Sequence, residues 1–417
     1  MTLPKDWKYV EIEAVASINR RTLSSTTKPD RRFYYLEISS VNKGRVDYPE
    51  QTITFKEAPS RARRIVQKGD VLMSMVRPNL QGFAHLRSGR EDIVASTGFA
   101  VITADGADSG FIYQSLYSPK VVAQLAGLLV GSGYPAINSS DVEKLMIAIP
   151  HKIPEQRKIA AILSTWDEAL EKLDSLIAAK DRRKKALTQQ LLMGKKRVKG
   201  FDRSNCHTKS DHFGIYPADW KRVALGNITR EVSRRNPSGD SLPVLSCTKH
   251  RGLVLSEEYF GKRVYADDTS NYRMVARGEF AYATNHIEEG SIGYQNLCVA
   301  GLVSPIYTVF RTTEEVDDAY LFRVLKSPLF IHLYRVNTSS SVDRRGSLRY
   351  DEFATIHIWL PSKREQAAIA NILETCDEEL RILRTQRVAL DQQKRGLMQR
   401  LLTGRVRVHA EKESRHA

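Results

Sequence analysis

The side chains of this sequence best suited to chemistry are cations and short polar groups gathered in turn-like segments. In the first half these are Arg31-Arg32, the turn Asn42-Lys43-Gly44-Arg45, Arg77-Pro78-Asn79-Leu80-Gln81 just after an apolar run, and the loop from Gly131 to Asn138 with Ser132, Tyr134 and Asn138. The second half offers Lys249-His250-Arg251, Thr284-Asn285-His286, and Thr338-Ser339-Ser340-Ser341 running into Arg344-Arg345. Lys and Arg neutralise phosphates, whereas Asn, Gln and Ser exchange hydrogen bonds with base edges, so their combination on loops suits a nucleic acid. Taken singly, each of these cations is as well explained as a solvated surface residue. The denser runs, Lys180 to Lys185 and Lys195 to Lys199, read first as solubilising charge at a helix end, where the macrodipole favours cations. Phosphate contact is the alternative.

Charge agrees with a polyanionic partner: 64 Lys and Arg against 48 Asp and Glu give a net charge of +16 over 417 residues. A membrane surface would attract the same charge, but no apolar run reaches the roughly 18 residues of a spanning helix. Met1 to Val10 carries no apolar signal core, so a cytoplasmic protein is expected.

Catalytic machinery is not found. Asn236-Pro237-Ser238-Gly239 is the nearest approach to an Asn-Pro-Pro-aromatic tetrad and lacks the second proline and the ring. Gly131-Ser132-Gly133 precedes a Tyr-Pro turn rather than following a strand, and neither a phosphate-binding GxxxxGK[ST] loop nor a GxSxG elbow occurs. Asp6-Trp7-Lys8 and Asp219-Trp220-Lys221 resemble the end of a metal-nuclease motif but lack its preceding Pro-Asp, so a tryptophan packed into each core explains them better. Cys206, Cys247, Cys298 and Cys376 form no CxxC pair; Cys206-His207 with His212 lacks a second cluster, and no metal site is expected.

The elements that must position these loops emerge when the chain is compared with itself. Glu155-Gln156, Ile159-Ala160, Ile162-Leu163, Thr165, Asp167-Glu168 and Leu170 return 210 residues later as Glu365-Gln366, Ile369-Ala370, Ile372-Leu373, Thr375, Asp377-Glu378 and Leu380. The same offset carries Leu187, Gln189, Leu191-Leu192, Gly194 and Arg197-Val198 onto Leu397, Gln399, Leu401-Leu402, Gly404 and Arg407-Val408. More loosely, Pro4-Lys5-Asp6-Trp7-Lys8 recurs at Pro217 to Lys221, Lys68-Gly69-Asp70 at Arg277-Gly278-Glu279, Ser118-Pro119 at Ser327-Pro328, and Ile149-Pro150 at Leu360-Pro361. The chain is a duplication.

Both repeats contain a heptad seam. Ile159, Leu163, Trp166, Leu170, Leu173, Ile177, Lys180, Lys184, Leu187 and Leu191 step alternately by four and three, as do Ile369, Leu373, Cys376, Leu380, Leu383, Arg387, Leu390, Lys394, Leu397 and Leu401. The charged positions Lys180, Lys184, Arg387 and Lys394 are expected to weaken the seam or leave it for a partner. In the variable domains, Phe33 to Ile38, Asp70 to Val76 and Gly98 to Ile102 read as strands and Phe111 to Leu129 as helix. The fold class is therefore α+β: two similar mixed α/β domains on two long coiled-coil helices, related by a pseudo-two-fold axis if the helices lie antiparallel. The boundaries are residues 1–150, helix 151–198, a polar linker 199–212, residues 213–360, helix 361–408 and a tail 409–417.

With these motifs the chain resembles the specificity subunits of Type I restriction-modification systems along nearly its whole length. The duplicated Glu-Gln-x-x-Ile-Ala-x-Ile-Leu helices carry most of the resemblance, with the Lys/Arg-Gly-Asp/Glu segments and the Ile-Pro or Leu-Pro steps into the helices. The resemblance implies a non-catalytic host-defence protein with two target-recognition domains that select a bipartite, asymmetric site on double-stranded DNA. It would need no cofactor of its own. Its partners would be two adenine methyltransferase subunits using S-adenosylmethionine and two translocating nuclease subunits using ATP and Mg. Ile159 to Ile177 and Ile369 to Leu390 would then be spacer and docking surface. The rival readings are a coiled-coil interaction scaffold, a DNA-modifying enzyme of unfamiliar motif, and a transcription regulator.

Overall fold

The computed structural model describes residues 3–87, 91–129, 135–201, 208–211, 214–338 and 347–408. Packing divides the chain into two units, Met1–Ser175 with Arg384–Ala417, and Leu176–Leu383. The division cuts through both long helices, Ile153–Leu192 and Lys363–Leu401, so each unit owns one variable region and a segment of each helix. Side-chain packing gives the reason. Met398, Leu401 and Leu402 share the core of Trp7, Phe111, Ile159 and Leu163. Leu191 shares that of Trp220, Tyr320, Ile369 and Leu373.

In the first unit, Trp7–Glu11 pairs antiparallel with Met146–Pro150, the strand that feeds the first long helix. One four-stranded sheet has Phe99–Ala104 beside both Ala16–Ile18 and Val71–Ser74, with Phe83–His85 at its edge. A second holds Arg32–Leu36 parallel to Ile93–Ser96, flanked by Ile53–Thr54 and Ala62–Val66. The stretch expected as one helix is two, Ser109–Ser115 and Pro119–Leu128, because Pro119 cannot continue a helix and Ser118 caps the new one by accepting from the Val121 N–H.

The second unit repeats the first pairing as Lys221–Ala224 with His357–Leu360, and the first sheet as Thr229–Glu231, Tyr307–Thr312, Phe280–Ala283 and Ile292–Tyr294. Helices Asp318–Leu325 and Pro328–Asn337 correspond to the short pair above. The expected linker needs correction at its end: Thr208–Asp211 is a strand against Gly214–Pro217, so its polar residues are held by main-chain pairing. Gly194 and Gly404, at φ 66° and 69°, end the long helices in the left-handed region that glycine adopts at little cost.

Candidate nucleic-acid interface

The repeated Glu-Gln signature has a mechanical role in each unit. Gln156 accepts from the Asp108 N–H at 2.8 Å and donates to the Pro150 carbonyl at 2.9 Å, bracing the N-terminus of helix Ser109–Ser115 against the strand before the long helix. Gln366 does the same with Asp317 and Pro361, at 2.8 and 2.9 Å. Glu155 accepts from Arg407 at 2.8 Å and Glu365 from Arg197 at 2.6 Å, and each arginine also holds the aspartate of a Pro-x-Asp-Trp motif, Asp6 or Asp219. In Arg197, burial disfavours the charge, but its hydrogen bonds to Asp219 and Glu365 outweigh it and raise its pKa. Asp70 and Glu279, from the Gly-Asp/Glu motif, accept main-chain N–H groups of their own turns and pair with Arg21 and Arg234.

On this scaffold the first unit gathers two of its predicted loops. Lys43-Gly44 is the two-residue turn of hairpin Val41–Asn42 and Arg45–Val46, with φ of 43° and 91°. Its amides donate outward: Lys43 N–H to the Gln81 carbonyl at 3.3 Å and Gly44 N–H to that of Phe83 at 2.8 Å. Gln81 and Arg77 flank the short turn Pro78–Leu80, both in the left-handed region, and leave Asn79 exposed on it. Arg77 N–H donates to the Pro135 carbonyl, so the far end of the Gly131 to Asn138 loop meets the same segment. Beneath lie Tyr113 and Tyr117. The Tyr113 hydroxyl stands 2.6 Å from where a side chain on Gly44 would begin, and Tyr117 donates to the Phe83 carbonyl at 3.3 Å.

Other predicted residues of this unit have partners within it. Arg32 donates to Thr52 Oγ1 at 2.9 Å, Arg45 pairs with Asp47 at 2.9 Å, and Asn138 caps helix Ser139–Glu143, accepting from the Asp141 N–H. Arg31 is exposed. Ser132 and Tyr134 lie outside the described residues, as do Ser339, Ser340, Arg344 and Arg345 in the second half.

In the second unit Lys249-His250-Arg251 is the exposed three-residue turn of hairpin Leu245–Thr248 and Gly252–Leu255. Arg251 lies over the Tyr259 ring, 5.7 Å from its centre. Asn285 is half-buried and His286 exposed at the start of the turn Ile287–Glu289, with His286 Nδ1 3.9 Å from Glu289. A residue not singled out from sequence joins the two loops: the Lys326 ammonium donates to the carbonyls of Thr248, Lys249 and Gly290. Nothing about a lone lysine beside Ser-Pro signals this. The signal available was its repeat position, which matches Tyr117.

The helix seam follows the heptad reading closely. Ile159, Leu163 and Leu170 are buried, as are Ile369, Leu373 and Leu380; Trp166, Leu173, Ile177, Cys376, Leu383 and Leu390 are half-buried. The charged seam positions are corrected: they pair with facing acids rather than standing empty. In the first unit Lys394 meets Asp167 and Arg387 meets Asp174, so seven residues forward on one helix match seven back on the other and the segments run antiparallel. In the second, Lys180 pairs with Glu379 and Lys184 with Asp377. Asp167 also accepts from Gln114 and Asp377 from Arg323, which ties each helix segment to the short helix above it. No helix among the described residues is long and apolar enough to cross a membrane.

Comparison with known proteins places this architecture. Residues 4–179 match the family described as Type I restriction modification DNA specificity domain. Two relatives from Methanocaldococcus jannaschii are named for the specificity subunits of type I restriction enzymes MjaX and MjaVIII. The first is 22% identical over 97% of this chain and 95% of its own. The second is 23% identical over 98% and 95%. A solved chain described under complex assembly and conformational transition of the type I R-M system shares the fold with a TM-score of 0.60, at 20% identity, over 97% of this chain and 100% of its own. Residues 4–179 thus carry the type I restriction modification DNA specificity domain, and along nearly its whole length the chain is similar to specificity subunits of type I restriction enzymes.

Proposed function

We propose that each of the two units reads one half of a bipartite, asymmetric site on double-stranded DNA, and that the two long helices act as spacer and as docking surface. The observation that carries this reading is a repeated scaffold bearing unlike loops. The Gln156 and Gln366 braces match in their partners and distances, while a two-residue turn at Lys43-Gly44 in one unit stands against a three-residue turn at Lys249 to Arg251 in the other. Two readers built alike but tipped differently suit two different half-sites.

The chain itself performs no catalysis. Two adenine methyltransferase subunits would bring S-adenosylmethionine, and two translocating nuclease subunits would bring ATP and Mg. Lys43, Arg45, Asn79 and Gln81 in the first unit, with Lys249, His250, Arg251, Asn285 and His286 in the second, are the contacts this reading assigns to DNA. Lys and Arg would meet phosphates, and the amides and imidazole would meet base edges.

Exchange of residues 1–150 for the same region of another such subunit tests the reading. The methylated site should change in one half and keep the other. A change in both halves, or in neither, would overturn it.

A further inference from the structure

In each unit a short helix runs beneath the loops assigned to DNA, and the residue just before the repeated Ser-Pro lies in the turn at its C-terminal end. That residue is Tyr117 in the first unit and Lys326 in the second, the C-cap of helix Asp318–Leu325. Both reach up to main-chain carbonyls: Tyr117 to Phe83 at 3.3 Å, and Lys326 to Thr248, Lys249 and Gly290 at 3.2, 2.7 and 2.8 Å. An ammonium has three N–H donors, and here each finds one acceptor. Two of the acceptors belong to the hairpin that carries Lys249 to Arg251, and the third closes the turn after Asn285-His286.

The base of this tie is itself fixed. Asp317 caps the helix, Gln366 holds the Asp317 N–H, and Arg323 of the same helix pairs with Asp377 on the second long helix at 2.5 Å. In the first unit Asp108, Gln156, Gln114 and Asp167 occupy the corresponding places. The same construction, arrived at with a phenol in one copy and an ammonium in the other, is hard to attribute to packing alone.

We infer that the position before the repeated Ser-Pro is the positioning residue of each reading head: Lys326 sets the spacing of the Lys249 hairpin and the His286 turn, and Tyr117 holds the edge strand against which the Lys43 hairpin closes. The inference rests on the DNA-reading proposal above. Burial lowers the pKa of Lys326, so its charged form carries a desolvation cost at this position.

The test uses the full chain assembled with the methyltransferase subunits of its own system and a library of randomised duplex DNA. Wild type should select two sequence blocks. K326M should flatten one block only, with discrimination at its best-read base falling on the order of tenfold, the scale of one misplaced base contact. K326R should restore part of the loss, and Y117F should blunt the other block. Hydrogen exchange at Tyr320 and Phe353 should stay protected in K326M, which separates a misplaced loop from an unfolded core. Should K326M fail to fold, K326Q, which keeps two donors, decides in its place. Two sharp blocks in a folded Lys326 variant would sink the inference and leave DNA reading intact. A wild-type assembly that selects no blocks would sink the reading itself.

Discussion

The two units share a scaffold down to single hydrogen bonds and differ where the loops stand. Trp7 and Trp220 are both buried, and each lies against the glycine that ends a long helix: Trp7 by Gly404, Trp220 by Gly194. Above that level the match stops. The first unit adds a four-stranded sheet around Arg32–Leu36, whereas the second has two separate pairs, Leu245–Thr248 with Gly252–Leu255 and Arg273–Ala276 with Ala300–Val303. Duplication keeps the parts that fix geometry and frees the parts that touch a ligand, which is the pattern expected of loops carried on a rigid scaffold.

If the scaffolds are equivalent, breaking the same joint should harm both, and the size of the harm should follow burial. Arg197 is 11% exposed over a Glu365 carboxylate that is 2% exposed; Arg407 is 39% exposed over Glu155 at 5%. Arg197→Ala would leave a buried carboxylate without its cation, a loss of about 3 to 5 kcal/mol. Arg407→Ala should cost clearly less, because water reaches that pair and screens it. Urea unfolding of both variants measures the difference. Equal losses would show that the two joints are not graded by burial.

A second comparison is sharpened by acid. His85 sits at the end of strand Phe83–His85, stacked on Tyr113 with its Nε2 3.0 Å from Ser109 Oγ, and burial together with the Arg87 charge lowers its pKa to about 4. The second unit has Tyr294 at the matching place, whose pKa burial raises. A histidine depressed from 6.5 favours the folded state above pH 6.5 and withdraws that support as pH falls toward 4, because the unfolded chain binds the proton first. Asp318 in the second unit has the opposite sign: burial raises its carboxyl, so its contribution is present at acid pH and lost as pH rises through that carboxyl's range. Amide protection, taken relative to the intrinsic exchange rate at each pH, should therefore fall between pH 6.5 and 4 around Phe83 to Leu86 more than around Ile292 to Tyr294. His85→Tyr should remove the contrast.

Much of the scaffold was legible because duplication prints it twice. An offset of 210 residues identified Glu155, Gln156, Asp167, Gly194 and Arg197 before any contact was known, and the heptad step picked seam residues that are all at least half-buried. Pairing partners were not legible. A lysine in a seam reads as a defect unless the facing residue is known, and Asp167 and Asp377 answer Lys394 and Lys184 from about 200 positions away. Loop chemistry was legible only as composition: Lys43 and Gln81 belong to one cluster, but Arg32 turns to Thr52 and Asn138 caps a helix. Capping and turn residues are the same types that read bases, so local structure competes for them.

The smallest expected effect is the one that tests the loops directly. Lys43 is exposed, at φ 43°, on a turn whose main chain is held by the Gln81 and Phe83 carbonyls, so its side chain contributes nothing to that fixation. Lys43→Gly keeps the left-handed turn while removing the charged side chain. If Lys43 meets a phosphate, the variant assembly should bind all duplex sequences more weakly by a similar factor, and the slope of log affinity against log salt should fall by about 0.9. Base preference should not move. Lys249→Ala on the second unit's turn should give the same signature. Should either change instead alter preference at one base, that lysine would be a reader of sequence, and the division between phosphate-binding cations and base-reading amides would not hold for that hairpin.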